Sequence, residues 1–276
     1  MNDFEQKKVK IKTIVSHIIC GNPIIYEVIE NSASRRQQKF VVTINEDKNS
    51  RGSRNDGKII LGVGNLEELY KVCNNFIHFF NLNFGTGKGS LNVIAADKLS
   101  IECWELKETT LNNIYDVLIK DDFDSVSVLV RNSLAFTLFH ECGHVKYDDD
   151  SMTKIEKERT ADNFALEVLR ESCSQEPNIR LEGTPMFLGA FLENILTLLV
   201  SKPKDAEIAM SHPHPIERIY LFLEYFHIDD NSYLWRYAYD TIVKWANDNN
   251  LAMTFEKDSS ISIKDKMLDA YHRFKK

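Results

Sequence analysis

The sequence predicts an α+β fold, and two observations carry the prediction. Residues 1–106 hold short β-type runs with one strong helical pattern, whereas residues 107–276 read almost wholly as helix. Strands gathered ahead of helices, rather than alternating with them, indicate α+β packing. The expected organisation is therefore a β-rich region with one helix over 1–106 and a helical region over 107–276, as two regions or one continuous domain.

Within the first region, Val9, Ile11, Thr13 and Val15 alternate with polar residues, which suits a half-exposed strand. Asn22-Pro23 interrupts it, and Ile24 to Ile29 reads as a second β-type run. Phe40 to Ile44 and Lys58 to Val63 are further strands, separated by a charged turn or excursion over 45–58. Asn65 then caps a helix carrying Leu66, Leu69, Tyr70, Cys73, Ile77 and Phe80. Leu91 to Ala96 and Ile101 to Leu106 are expected strands and candidates for a peptide-accepting sheet edge. The glycine-rich stretch at 85–90 lacks the P-loop spacing and reads as a turn. From there helices are expected at 107–120, 125–147, 153–173, 184–200, 214–228, 231–248 and 262–275.

The 276 residues include 43% hydrophobic and 27% charged residues, ordinary for a globular chain. The net charge of −7 disfavours nonspecific nucleic-acid binding, so no nucleic-acid partner is expected. Cysteines 20, 73, 103, 142 and 173 are odd in number, scattered and without a CxxC pair, which fits free thiols in a reducing cytoplasm. No leader is visible, and the most apolar segment, 184–200, contains Glu193 and Asn194 and is short for a span. No membrane association is expected.

The chemistry concentrates in Phe139-His140-Glu141-Cys142-Gly143-His144. On a helix, His140 and His144 project from one face a turn apart, so one tetrahedral ion can take both nitrogens. Glu141 is rotated away and reaches a water on that ion. Asp124-Ser125 offers an N-cap, and Leu134, Leu138, Cys142 and Val145 form the stripe that anchors the helix. Cys142 belongs to that stripe and is read as packing, not as a ligand. Gly143 removes bulk where a ligand or strand approaches. The next helix opens with a capping box, Thr153 and Glu156. Its buried stripe is Ala161, Phe164, Ala165 and Val168, and Glu158 stands at the start of it. A carboxylate aimed inward is costly unless it is paired or binds metal, so Glu158 is the expected third ligand. Asp162, one turn on, is placed to hydrogen-bond a ligand histidine.

Farther on, Ser211-His212-Pro213-His214-Pro215 precedes a helix containing Arg218. These histidines either cap that helix or supply one donor to an oxyanion. Arg218 either braces a carboxylate or lies on the surface. Tyr147 and Tyr220 are weaker donor candidates. His17, His78, His227 and His272 have no partner at ligand spacing, and the acidic run at 148–150 lacks the pattern of a calcium loop.

His140-Glu141-x-x-His144 followed by Glu158-x-x-Ala161-Asp162 resembles the gluzincin metallopeptidases, and Glu158-Arg159-Thr160-Ala161-Asp162-Asn163-Phe164-Ala165 is similar to the ImmA/IrrE and M48 groups. The His-Pro…Arg segment resembles one in M48-like enzymes, which favours His212 over His214 as the oxyanion donor. Together with chain length and the absence of spans, the order of these parts also resembles the Lit-type phage-exclusion peptidases of the U49 family. The resemblance covers roughly 125–225. It implies a zincin-type core, Zn²⁺ as cofactor, Glu141 as general base and hydrolysis of a peptide bond in a specific protein. The implied substrates are translation factor EF-Tu, cleaved in phage exclusion, or a repressor controlling a mobile element. The rival function is a non-catalytic zinc-binding interaction or sensor module. Such a module would close all four metal positions with protein ligands, and no fourth ligand is evident.

Overall fold

A computed structural model describes residues 1–82, 97–103, 106–119, 124–147, 149–174, 180–203, 212–251 and 261–274. The expected turn at 85–90 and the strand at 91–96 lie outside the described residues. The fold is α+β, with a small mixed sheet in its amino-terminal part and helices elsewhere. The chain divides into two compact units, Met1–Ala190 and Phe191–Lys276. The sequence-based boundary at 106/107 falls in the first unit, between a strand and a helix.

The amino-terminal segment departs most from expectation. Residues 9–29 are not strands: α1 spans Asp3–Cys20 and α2 spans Pro23–Arg36. Ile11, Val15 and Ile19 are buried at i, i+4 and i+8, whereas Val9 is 48% exposed and Thr13 is exposed. The pattern at 11 and 15 fits both periods, and the helical one prevails. Asn22-Pro23 does interrupt the chain as expected. Asn22 Oδ1 accepts from the Ile24 and Ile25 amides, and Pro23 occupies the first turn, where its missing N–H costs nothing.

The sheet comprises β1 (Phe40–Asn45), β2 (Arg51–Ser53), β3 (Lys58–Gly62) and β4 (Leu99–Cys103), in the order β2-β3-β1-β4. β1 is central and pairs parallel with β3 and β4, and β2 pairs antiparallel with β3. The charged excursion at 45–58 therefore contains a strand, β2, that forms one edge of the sheet. α3 (Leu66–Phe80) follows, with Leu69, Cys73 and Phe76 buried. Asn65 stands at its N-cap position but makes no capping bond; its side-chain amide donates to Lys48 O instead.

Next come α4 (Glu108–Leu118), α5 (Ser125–Tyr147), α6 (Lys154–Ser174) and α7 (Pro185–Val200). Asp124 caps α5 by accepting from the Ser127 amide at 3.2 Å. α5 is the organising element of the first unit, in contact with α1 to α4, with α6 and with β2 and β3. That enclosure explains why it is buried on nearly every side, polar Ser127, Ser133, His140 and Glu141 included. Ser133 Oγ–H meets its needs within the core, 3.0 Å from Leu129 O and 2.7 Å from Gly189 O.

The second unit holds the remainder of α7, then α8 (Pro215–Tyr225), α9 (Tyr233–Asp248) and α10 (Ile263–Phe274). Its core is aromatic. Trp235 and Trp245 are fully buried, and Tyr220 stacks on Tyr271 at 5.3 Å. Among the described residues no helix is long and apolar enough to cross a membrane.

Candidate metal centre

One turn of α5 and the first turns of α6 build the site. The expected capping box starts α6: the Thr153 amide donates to Glu156 Oε2 at 2.7 Å, and the Glu156 amide to Thr153 Oγ1 at 3.3 Å. With its start fixed, α6 buries Ala161, Phe164, Ala165 and Val168 against α5, and Glu158 lies at the head of that face. The closeness of the two helices depends on Gly143. A Cβ there would sit 2.7 Å from Ala161 Cα and 3.0 Å from Ala161 O. The sequence reading gave this glycine's clearance to a ligand or strand. The structure gives it to the backbone of α6.

That approach brings His140, His144 and Glu158 together. Their ligand atoms all lie within 4.8 Å of one another. The two Nε2 atoms are 3.1 Å apart, and they lie 3.3 and 3.4 Å from Glu158 Oε2 and Oε1. Burial alone would push the Glu158 carboxyl up. The hydrogen bonds and positive charge of the two imidazoles outweigh it and hold the group far below the usual carboxylate range.

Asp162 lies one turn beyond Glu158 on α6. His140 Nδ1–H donates to Asp162 Oδ1 at 2.9 Å, so Nε2 is the ring nitrogen that faces Glu158 and His144. Outer contacts of this kind set the tautomer and ring orientation of a ligand histidine. Asp162→Asn is expected to weaken the affinity of this group for a divalent metal by about 10–100-fold with little change in fold. Competition against a chromogenic chelator measures it, and wild-type affinity in the variant would rule out the orienting role.

Glu141 follows His140 and is 4% exposed. Burial pushes its carboxyl pKa up, and the neighbouring histidines lower it only in part. The Gly52 backbone N–H donates to this carboxylate, whereas Oε2 has no hydrogen-bond partner among the described residues. Gly52 lies in β2, and a Cβ there would collide with the Glu141 carbonyl oxygen and come within 3.3 Å of Glu141 Oε2. The sequence reading missed Gly52, because a three-residue strand in a charged stretch carries no apolar period. It also assigned the candidate sheet edge to 91–96 and 101–106. β4 is an edge, but it lies across the sheet from β2 and packs on α1; the edge that meets α5 is β2.

Cys142 is fully buried, and burial pushes its thiol far above the ordinary range, as a packing residue requires. His212 and His214 belong to the second unit. His212 is exposed. His214 caps α8, its Nδ1 accepting from the Ile216 amide at 3.2 Å, and its ring stacks on Phe274 at 5.1 Å. Arg218 is half-buried on α8. Tyr147 lies 39% exposed at the end of α5, its ring edge-on to Phe164.

Two histidines and a glutamate converging from adjacent helices form a group that could hold one metal ion. The chain matches the family model described as Peptidase U49 over residues 102–238. That span takes in α5 and α6, and the chain thus resembles the Lit-type U49 peptidases, which supports a peptidase acting on protein or peptide. No curated protein and no solved structure matches the chain.

Proposed function

We propose that the protein is a zinc-dependent endopeptidase in which His140, His144 and Glu158 hold the ion. The convergence of these three donors beside the buried Glu141 carboxylate carries the reading. The donor set fits zinc: two imidazole nitrogens and one carboxylate are a recurrent catalytic combination that leaves a coordination position open. Two ring nitrogens facing each other at 3.1 Å across a carboxylate are well answered by a divalent cation among them.

Bound there, Zn²⁺ would supply Lewis acidity, lowering the pKa of a water toward ~7 and polarising the scissile carbonyl. Glu141 takes the proton of the attacking water and returns it to the leaving amine. Its poor solvation favours both transfers, because a raised pKa brings the carboxylate nearer the operating pH. Asp162 holds the His140 ring. β2, the edge strand beside α5, is the proposed rail for an extended peptide, whose backbone would continue the sheet. His212 is the proposed oxyanion donor, on the likeness of the segment from His212-Pro213 to Arg218 to the His-Pro…Arg segment of M48-like enzymes. Arg218 is proposed as its support. In keeping with the U49 resemblance, the reading extends to a cytoplasmic enzyme cutting one specific protein, EF-Tu or a repressor, in phage exclusion or mobile-element control.

Metal analysis joined to amino-terminal profiling tests this reading. Purified wild type is expected to carry one zinc per chain, and Glu158→Ala to carry little. Cells expressing wild type are expected to show new protein amino termini that are absent with Glu158→Ala. A wild-type protein without zinc, or identical termini in both cultures, would count against it.

A further inference from the structure

A cavity of about 580 Å³, with none of the three candidate metal donors in its lining, opens where the end of α2, the turn from β2 to β3 and the last turn of α5 meet. Four cationic side chains line it, Arg35 and Arg36 from α2, Arg54 from the turn and Lys146 from α5, against the single carboxylate of Glu27. In a chain of net charge −7 this is a local reversal of sign. Some of these cations have other duties. Arg35 and Arg36 complement the α2 dipole, and Lys146 rides 5.0 Å over the rings of both Tyr147 and Phe164. Those duties leave two buried atoms unexplained. Ser32 Oγ and Arg36 Nη1 have no hydrogen-bond partner among the described residues, although Ser32 is only 8% exposed. Both lie against Gly57 of the facing turn. Buried donors without acceptors are costly, so an acceptor is expected there.

The geometry points to a binding site for a small phosphate-bearing molecule. A guanidinium fork and a hydroxyl suit a phosphoryl group, which accepts several charge-assisted bonds at once. Donors arrive from three elements, more than the two oxygens of one carboxylate answer well. The cavity exceeds a lone phosphate and falls in the range of small-molecule sites. Val28, Val145 and the Tyr147 ring give the rest of the ligand an apolar wall. The site stands independently of the peptidase reading.

Calorimetric titration of the full chain, purified with its metal and held in phosphate-free buffer, tests the assignment with two probes, inorganic phosphate and adenosine monophosphate. Saturable one-to-one binding is expected, with Ser32→Ala and Arg36→Gln each weakening it about tenfold, the equivalent of one charge-assisted bond. Tighter binding of the nucleotide would identify a phosphorylated small molecule as the natural occupant, and equal binding would identify the phosphoryl group alone as what is read. Circular dichroism checks the fold. Arg35→Gln, at an exposed position, gives the same readout if Arg36→Gln does not fold. Three results would overturn the proposal: neither probe binding, binding unchanged in the Arg variants, or binding abolished by Glu158→Ala instead, which would place the anion on the metal. Binding of an acidic peptide without binding of either phosphate probe would do so as well.

Discussion

Glu141→Gln is expected to retain zinc at the wild-type level and to lower peptide-bond hydrolysis by about 10²–10⁴-fold, the range attributed to a positioned general base. The substitution is nearly isosteric. Gln still offers the Gly52 N–H an oxygen, so the β2–α5 contact persists. What disappears is the ability to accept a proton. Stability is not expected to fall, because Glu141 is buried and one of its carboxylate oxygens lacks a hydrogen-bond partner among the described residues, and a neutral amide relieves the cost of desolvating charge. The sign of the pH effect follows. The folded pKa of Glu141 is raised, so its contribution to stability is fully present below the unfolded carboxyl value and is lost as pH rises through the folded value. The variant should lack that loss in the metal-free state. Zinc per chain, the yield of new amino termini and denaturation midpoints on either side of the window check the three parts. Cleavage at the wild-type rate by a zinc-loaded variant would remove Glu141 from the reaction.

The parts of the site that were legible in the sequence are those fixed by helical spacing. His140 and His144 share a face by period alone, the Thr153–Glu156 box sets the start of α6, and Glu158 is inward because it leads the Ala161–Ala165–Val168 stripe. Parts that depend on contact between distant segments were not legible. Nothing around Gly52 signals that its amide meets a carboxylate nearly ninety positions later. The strand reading of 9–29 failed for a local reason. β-branched residues at 9, 11, 13 and 15 satisfy a period of two, and only the burial of Ile19 with Ile11 and Val15, beside an exposed Val9, selects the helical period. Sequence also proposes close approach at Gly143 but cannot say to what.

Gly143→Val is expected to destabilise the first unit by about 3 kcal/mol, at the upper end of overpacking costs, and to release the metal. The added carbon would lie 2.7 Å from Ala161 Cα and 3.0 Å from Ala161 O, both backbone atoms of α6. No rotamer change relieves such a clash, and removing the Ala161 methyl group leaves both contacts in place, so Ala161→Gly is not expected to rescue the variant. α6 must move instead, and Glu158 moves with it. Its carboxylate oxygens now face the two imidazoles at 3.3 and 3.4 Å, whereas zinc sites tolerate departures of only about 0.2 Å from their bond lengths. A shift too small to unfold the unit therefore opens the triad. Denaturant midpoints and zinc content measured together read both consequences. Loss of stability with full zinc occupancy would show that the interhelical contact at Gly143 does not set the position of Glu158.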